Sequence, residues 1–150
     1  MATYILRFRR ENKDFFDAIV VDSTDPVGPG KALFELNFYK SVYEALRKDG
    51  VAVFQLGPFL DFDLIIKGIA EKLKKLFEFV SPLRLPMPSY SSGCEYCFLL
   101  AAKTTDPAKI NINDITRRAR QRLGEKLIHL KYYSPEIHHA SLIMPKIWQL

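Results

Sequence analysis

The sequence predicts an α/β fold built on a mostly parallel sheet with an antiparallel edge. Three observations carry that expectation. Short apolar runs rich in β-branched residues, Ala18 to Val21 and Val51 to Leu56, are too short for helices and suit buried parallel strands. Between and after them lie longer stretches whose apolar residues recur every three or four positions, as in helices that cover a sheet. Phe79–Leu85 and Tyr96–Ala102 then follow one another with only a loop between, so the second must pair antiparallel or leave the sheet.

Taken in order, Tyr4 to Asn12 reads as a short helix with Ile5 and Phe8 opposite Arg7, Arg9 and Arg10. Asp17 to Asp22 is the first strand, and it breaks into Asp22-Ser23-Thr24-Asp25-Pro26 and a Gly/Pro loop. A strand that ends in polar groups matters because open α/β sheets bind ligands at the carboxyl ends of their strands. Two carboxylates in a proline-stiffened loop suit a cationic ligand. By itself the run reads equally as a cap or turn, and that plainer reading leads until the rest of the chain is considered.

Leu33 to Arg47 is predicted as a helix, with Phe34, Phe38, Val42 and Leu46 facing inward, Lys48-Asp49-Gly50 stopping it and Gly50 suited to a left-handed cap. Val51–Leu56 is the second strand, and its end places Gln55 where strand gives way to loop. Leu60 to Phe77 reads as one long amphipathic helix, acidic at its start and basic at its end in agreement with the helix dipole. The third and fourth strands flank the loop 86–93. A polar helix over Asn113–Leu123, opened by Asn-Asp, and a last short helix after Pro135 complete the chain.

The 150 residues suit one domain of ordinary globular composition, 48% apolar and 26% charged. The net charge of +5 is dispersed except at Arg117, Arg118, Arg120 and Arg122, a run that reads as a solvated helix face rather than a nucleic-acid footprint. No apolar run approaches the roughly 20 residues that span a bilayer, and a cytoplasmic setting is expected. The two cysteines, Cys94 and Cys97, lack a second pair or clustered histidines, and their odd separation in a strand would point them to opposite faces, against a zinc or redox site. Glu136, His138 and His139 resemble a metal set only superficially; terminal-helix histidines more often pack or hydrogen-bond, so no metal is expected. Nothing reads GxGxxG, so a phosphate-cradling loop is absent from these residues.

Four segments in order resemble the spermidine synthases, the polyamine aminopropyltransferases. They are Asp22-Ser23-Thr24-Asp25-Pro26-Val27-Gly28-Pro29 with Leu33-Phe34 and Phe38-Tyr39; Lys48-Asp49-Gly50-Val51 through Gln55; Pro88-Ser89-Tyr90-Ser91-Ser92-Gly93; and Tyr132-Tyr133-Ser134-Pro135-Glu136-Ile137-His138-His139-Ala140-Ser141 with Met144-Pro145. The match covers the carboxyl-terminal half of that family's Rossmann-like, methyltransferase-type catalytic domain, so the amino-terminal half is expected to be truncated.

The resemblance implies transfer of an aminopropyl group from decarboxylated S-adenosylmethionine, a co-substrate, to putrescine or a similar amine, with no resident cofactor. It implies that Asp22 is the acidic group that relieves the amine of its proton and that Tyr90 hydrogen-bonds that amine. Asp25 would anchor the diamine, Gln55 would line the amine and sulfonium region, and Pro29 and Leu33 would pack against the nucleoside. It also implies that the chain alone is poorly competent, and self-association or association with a complementary chain is expected. A non-catalytic relative that binds a full-length synthase is the alternative. Two departures bear on amine choice: Ser91 stands in place of the usual proline, and the segment Leu56-Gly57-Pro58-Phe59 is about one residue short and lacks a polar group.

Overall fold

The computed structural model describes residues 13–22, 28–87 and 95–150. The expected amino-terminal helix over Tyr4–Asn12 lies outside the described residues. Four strands, β1 (Phe16–Val21), β2 (Leu46–Pro58), β3 (Phe79–Pro86) and β4 (Glu95–Ala102), form one sheet in the order β1-β2-β4-β3. β1 and β2 are parallel, while β4 runs against both of its neighbours, β2 and β3. Three of the four strands therefore point one way. The antiparallel pairing expected at the end of the sheet takes two ladders, with β4 lying between β2 and β3.

The crossover from β1 to β2 passes through a 3-10 turn (Gly28–Phe34) and helix α1 (Leu36–Ala45). Gly28 opens that turn at φ 56°, a backbone state that glycine enters without steric cost. α1 stops before the expected Arg47, and Gly50 is not its cap. The chain straightens at Leu46, and Gly50 belongs to β2. Its role is close approach: a Cβ there would lie 2.9 Å from the Leu46 side chain and 3.0 Å from the Phe16 carbonyl. That is where β2 bulges, since Phe16 pairs with Leu46 but Ala18 with Val51.

The open carbonyls at the end of α1 find partners from two directions. The Asp14 and Phe15 amides donate to Glu44 and Ala45, each at 2.9 Å. The Lys103 ammonium, from the end of β4, reaches the Leu46 carbonyl and lies 4.4 Å above the Tyr43 ring. A cation at a helix carboxyl end is electrostatically favourable.

The stretch expected as one helix over Leu60–Phe77 is three joined pieces: a 3-10 turn (Phe59–Asp61), a π-helical turn (Phe62–Ile66) and α2 (Lys67–Lys74). Its apolar stripe still faces inward: Phe59, Phe62, Ile66, Ile69, Ala70 and Leu73 are all buried. They meet Tyr39 and Val42 of α1 over one face of the sheet, where the cross-strand pairs Ala52–Ala101 and Phe54–Leu99 project into the same core. α3 (Ile112–Leu123) starts one residue before its expected bound, capped by the Asn111 side chain, which accepts from the Asp114 amide at 2.9 Å. α4 (Pro135–Ser141) begins at Pro135, one residue before its expected start, with the Ser134 hydroxyl accepting from the Ile137 amide.

β1 pairs parallel as expected, but it is not the buried strand that its composition suggested. Val20 is 72% exposed, and Phe15, the residue before the strand, is 56% exposed. Among the described residues β1 has one strand neighbour, so its far edge and much of its surface stay open.

Candidate functional site

The register of β1 and β2 decides where the polar ends of the strands meet. Val21 pairs with Phe54, and both pack against the core. The next residue on each strand, Asp22 and Gln55, leaves the core side at the same end of adjacent parallel strands. Asp22 is exposed and Gln55 half-buried. Immediately after Gln55 the β2–β4 ladder slips, with Gln55 opposite Phe98 but Gly57 opposite Cys97. Such bulges bend a strand and re-aim its side chains, and Gly57 adopts φ 143°, where other residues are strained.

The same edge of the sheet carries the roots of the third polar segment. Pro58 and Leu85 both pair with Tyr96, so the ends of β2 and β3 and the start of β4 stand in one row. The loop that contains Tyr90 therefore leaves from Pro86–Met87 and returns at Glu95 on the side of the sheet that carries Asp22 and Gln55. Its root is pinned by Arg84, a single guanidinium nitrogen of which, Nη1, donates to both Glu95 carboxylate oxygens at 2.9 and 3.0 Å. A charge-assisted bond of this kind is stronger than one between neutral groups. Arg84, Glu95, Tyr132 and Ile137 line a shallow cavity of 170 Å³ between this root and α4.

Of the residues that the sequence singled out, the structure thus brings Asp22 and Gln55 to one edge. Leu33 lies in the 3-10 turn and packs, half-buried, on the core cluster; Pro29 belongs to the same turn. That turn is held from across the core by the Lys72 ammonium, which donates to the Phe34 carbonyl at 3.0 Å. Asp25 and Tyr90 lie outside the described residues, as does Cys94. Cys97 is fully buried in β4, and burial pushes its thiol pKa up to about 12, so it is protonated and unreactive near neutral pH.

Sequence reasoning missed three features of this edge. One is the Arg84–Glu95 pair, signalled by opposite charges on either side of the Tyr90 loop. The second is the Tyr39 hydroxyl, buried beside Phe54 (ring centroids 5.4 Å apart) with no hydrogen-bond partner among the described residues. Burial, and the nearby Glu35 charge, push its pKa up, so it stays a donor. The third is Trp148, which stacks on Phe59 at 4.3 Å and so brings the end of the chain onto the loop after β2.

Comparison with known proteins places these features in a family context. The spermine/spermidine synthase domain model matches residues 5–112. A polyamine aminopropyltransferase of Caldicellulosiruptor saccharolyticus is 40% identical over 145 residues, which is 96% of this chain and 48% of that protein. A polyamine aminopropyltransferase of Methanocaldococcus jannaschii is 38% identical over 135 residues. A spermidine synthase solved in complex with the transition state analogue AdoDATO superimposes with a TM-score of 0.77 at 30% identity, covering 95% of this chain and 46% of that one. The chain spans about half the length of the curated relatives it matches.

Proposed function

We propose that this chain, which belongs to the spermine/spermidine synthase family, supplies the acceptor side of an aminopropyltransferase site. In this reading it is the carboxyl-terminal half of a Rossmann-like catalytic domain of cytosolic polyamine synthesis. The observation that carries the reading is the parallel register of β1 and β2, which delivers Asp22 and Gln55 to one edge beside the roots of the Tyr90 loop.

The chemistry is an in-line displacement. The amine nitrogen attacks the propyl carbon next to the sulfonium of decarboxylated S-adenosylmethionine. A C–N bond forms, the C–S bond breaks, and its electron pair returns to sulfur to give neutral methylthioadenosine. The leaving group needs no proton, whereas the amine, cationic near neutral pH, must lose one. Asp22 holds that cation by charge and takes its proton, directly or through a neighbour. Asp25 anchors the far ammonium of a putrescine-like diamine, and Tyr90 orients the attacking nitrogen. Gln55 lines the amine and sulfonium region, while Pro29 and Leu33 pack against the nucleoside. Alignment of the two substrates supplies much of the rate.

No GxGxxG loop occurs in these 150 residues, so donor binding requires a complementary segment. The open edge of β1 is where such a segment would add to the sheet. The exposed Val20 and Phe15 equally favour a second reading, a non-catalytic subunit that docks on a full-length synthase through this edge. One experiment separates the two. The chain is co-purified with the amino-terminal half of a related aminopropyltransferase, and methylthioadenosine release from decarboxylated S-adenosylmethionine and putrescine is followed. Turnover that falls about 10²-fold or more in Asp22→Asn, in line with the loss of a general base, supports the catalytic reading. A complex that forms but never turns over supports the docking reading, and full activity of Asp22→Asn removes that residue from the mechanism.

A further inference from the structure

We propose that the cleft between α3 and α4 binds a small carboxylate carried on a short apolar body. Apart from Ile110, the residues that line the cleft lie past residue 112, beyond the stretch that matches the family model, and neither Asp22 nor Gln55 is among them. Its volume of 300 Å³ is at the lower end of ligand pockets, which run from roughly 300 to 1,000 Å³. Ile115 and Ala119, both buried, give it an apolar floor.

The charge at its rim is specific. Four arginines occur on α3, but they are not equivalent. Arg117 is bound to Asp114 at 2.5 Å, and the charge of Arg120 acts on Glu136. Arg118 and Arg122, one helical turn apart, both line the cleft, and neither makes a hydrogen bond or ion pair among the described residues; Arg118 acts on Asp114 only through space. Two unpaired guanidiniums over an apolar floor match a planar carboxylate with a hydrocarbon tail, because the guanidinium fork meets both carboxylate oxygens at once.

The opposite wall is formed by Tyr133 and His138, joined through the tyrosine hydroxyl and Nδ1 at 3.1 Å. When the hydroxyl donates to Nδ1, the other ring nitrogen of neutral His138 carries a proton that it can donate. Burial, with the adjacent His139, lowers the His138 pKa, so the cationic character of the cleft rests on the arginines.

The test is an NMR titration of the full 150-residue chain with hexanoate, followed at the Arg Nε–H and His138 ring signals, with inorganic phosphate as the anion that lacks an apolar body. Saturable shifts at Arg118, Arg122 and His138 are expected with hexanoate but not with phosphate at matched ionic strength. The Kd should rise at least tenfold in the Arg118→Gln/Arg122→Gln double variant, whose fold is checked by circular dichroism; both residues are exposed. No saturable shift at these residues, equal affinity in the double variant, or equal binding of phosphate would each overturn the proposal.

Discussion

β1 and β4 are both short apolar strands of one sheet, yet they live in different surroundings. In β4, Cys97, Leu99 and Ala101 are fully buried, with β2 on one side, β3 on the other and the helical layer above. In β1, Val20 is 72% exposed and the strand has β2 alone as a described neighbour. Apolar composition is almost the same in the two; what differs is the number of layers and ladders that reach them. An apolar strand states a demand for cover, and only the neighbours decide whether that demand is met within the same chain. The candidate site inherits the asymmetry. Gln55 and the Arg84–Glu95 root stand on the closed side of the sheet, and Asp22 stands on the open side.

The sharpest probe of this difference is Leu99→Ala. Leu99 is fully buried, so the change removes apolar contacts and leaves a cavity, at a cost of about 2–5 kcal/mol in urea unfolding. A cost below about 1 kcal/mol would mean that β4 is no better packed than β1. Next comes Gly50→Ala, at the bulge where the two regions join. The added methyl meets the Leu46 side chain and the Phe16 carbonyl, and the overpacking should cost about 1–3 kcal/mol, with faster amide exchange in β1 than in β4. Uniform acceleration of exchange across the sheet would show that β1 is not the weaker partner. The smallest effect is expected from Val20→Thr, within about 0.5 kcal/mol for a largely solvated side chain. A larger loss that depends on protein concentration would reveal a second copy already seated on the β1 edge.

Much of the fold was legible in the sequence because its signals are local. The β-branched run ending at Val21, the loop between the third and fourth strands and the proline that opens α4 each act within a few residues of themselves. The part of the site that could be read was likewise the part carried by strand ends, Asp22 and Gln55. Gly50 misled because Lys-Asp-Gly is the chemistry of a helix stop. The steric demand that actually requires glycine comes from Phe16, which is close only after β1 and β2 have paired. The single helix expected over Leu60–Phe77 divided for a similar reason. Its amphipathic character was read correctly, but the first turns settle around Phe59, which stacks with Phe62 and with Trp148 from the far end of the chain.

The sequence by itself determined the family, the alternation of strands and helices, and which strands end in polar groups. Periodicity and turn chemistry are short-range, and the motif resemblance is read from order along the chain. Only the tertiary structure decided that β1 lies open while β4 is enclosed, that Arg84 grips Glu95 at the root of the Tyr90 loop, and that Arg118 and Arg122 face a cleft while Arg117 is held by Asp114. Those outcomes depend on which surfaces meet across the sheet and between helices, a matter of distance in space that spacing along the chain does not encode.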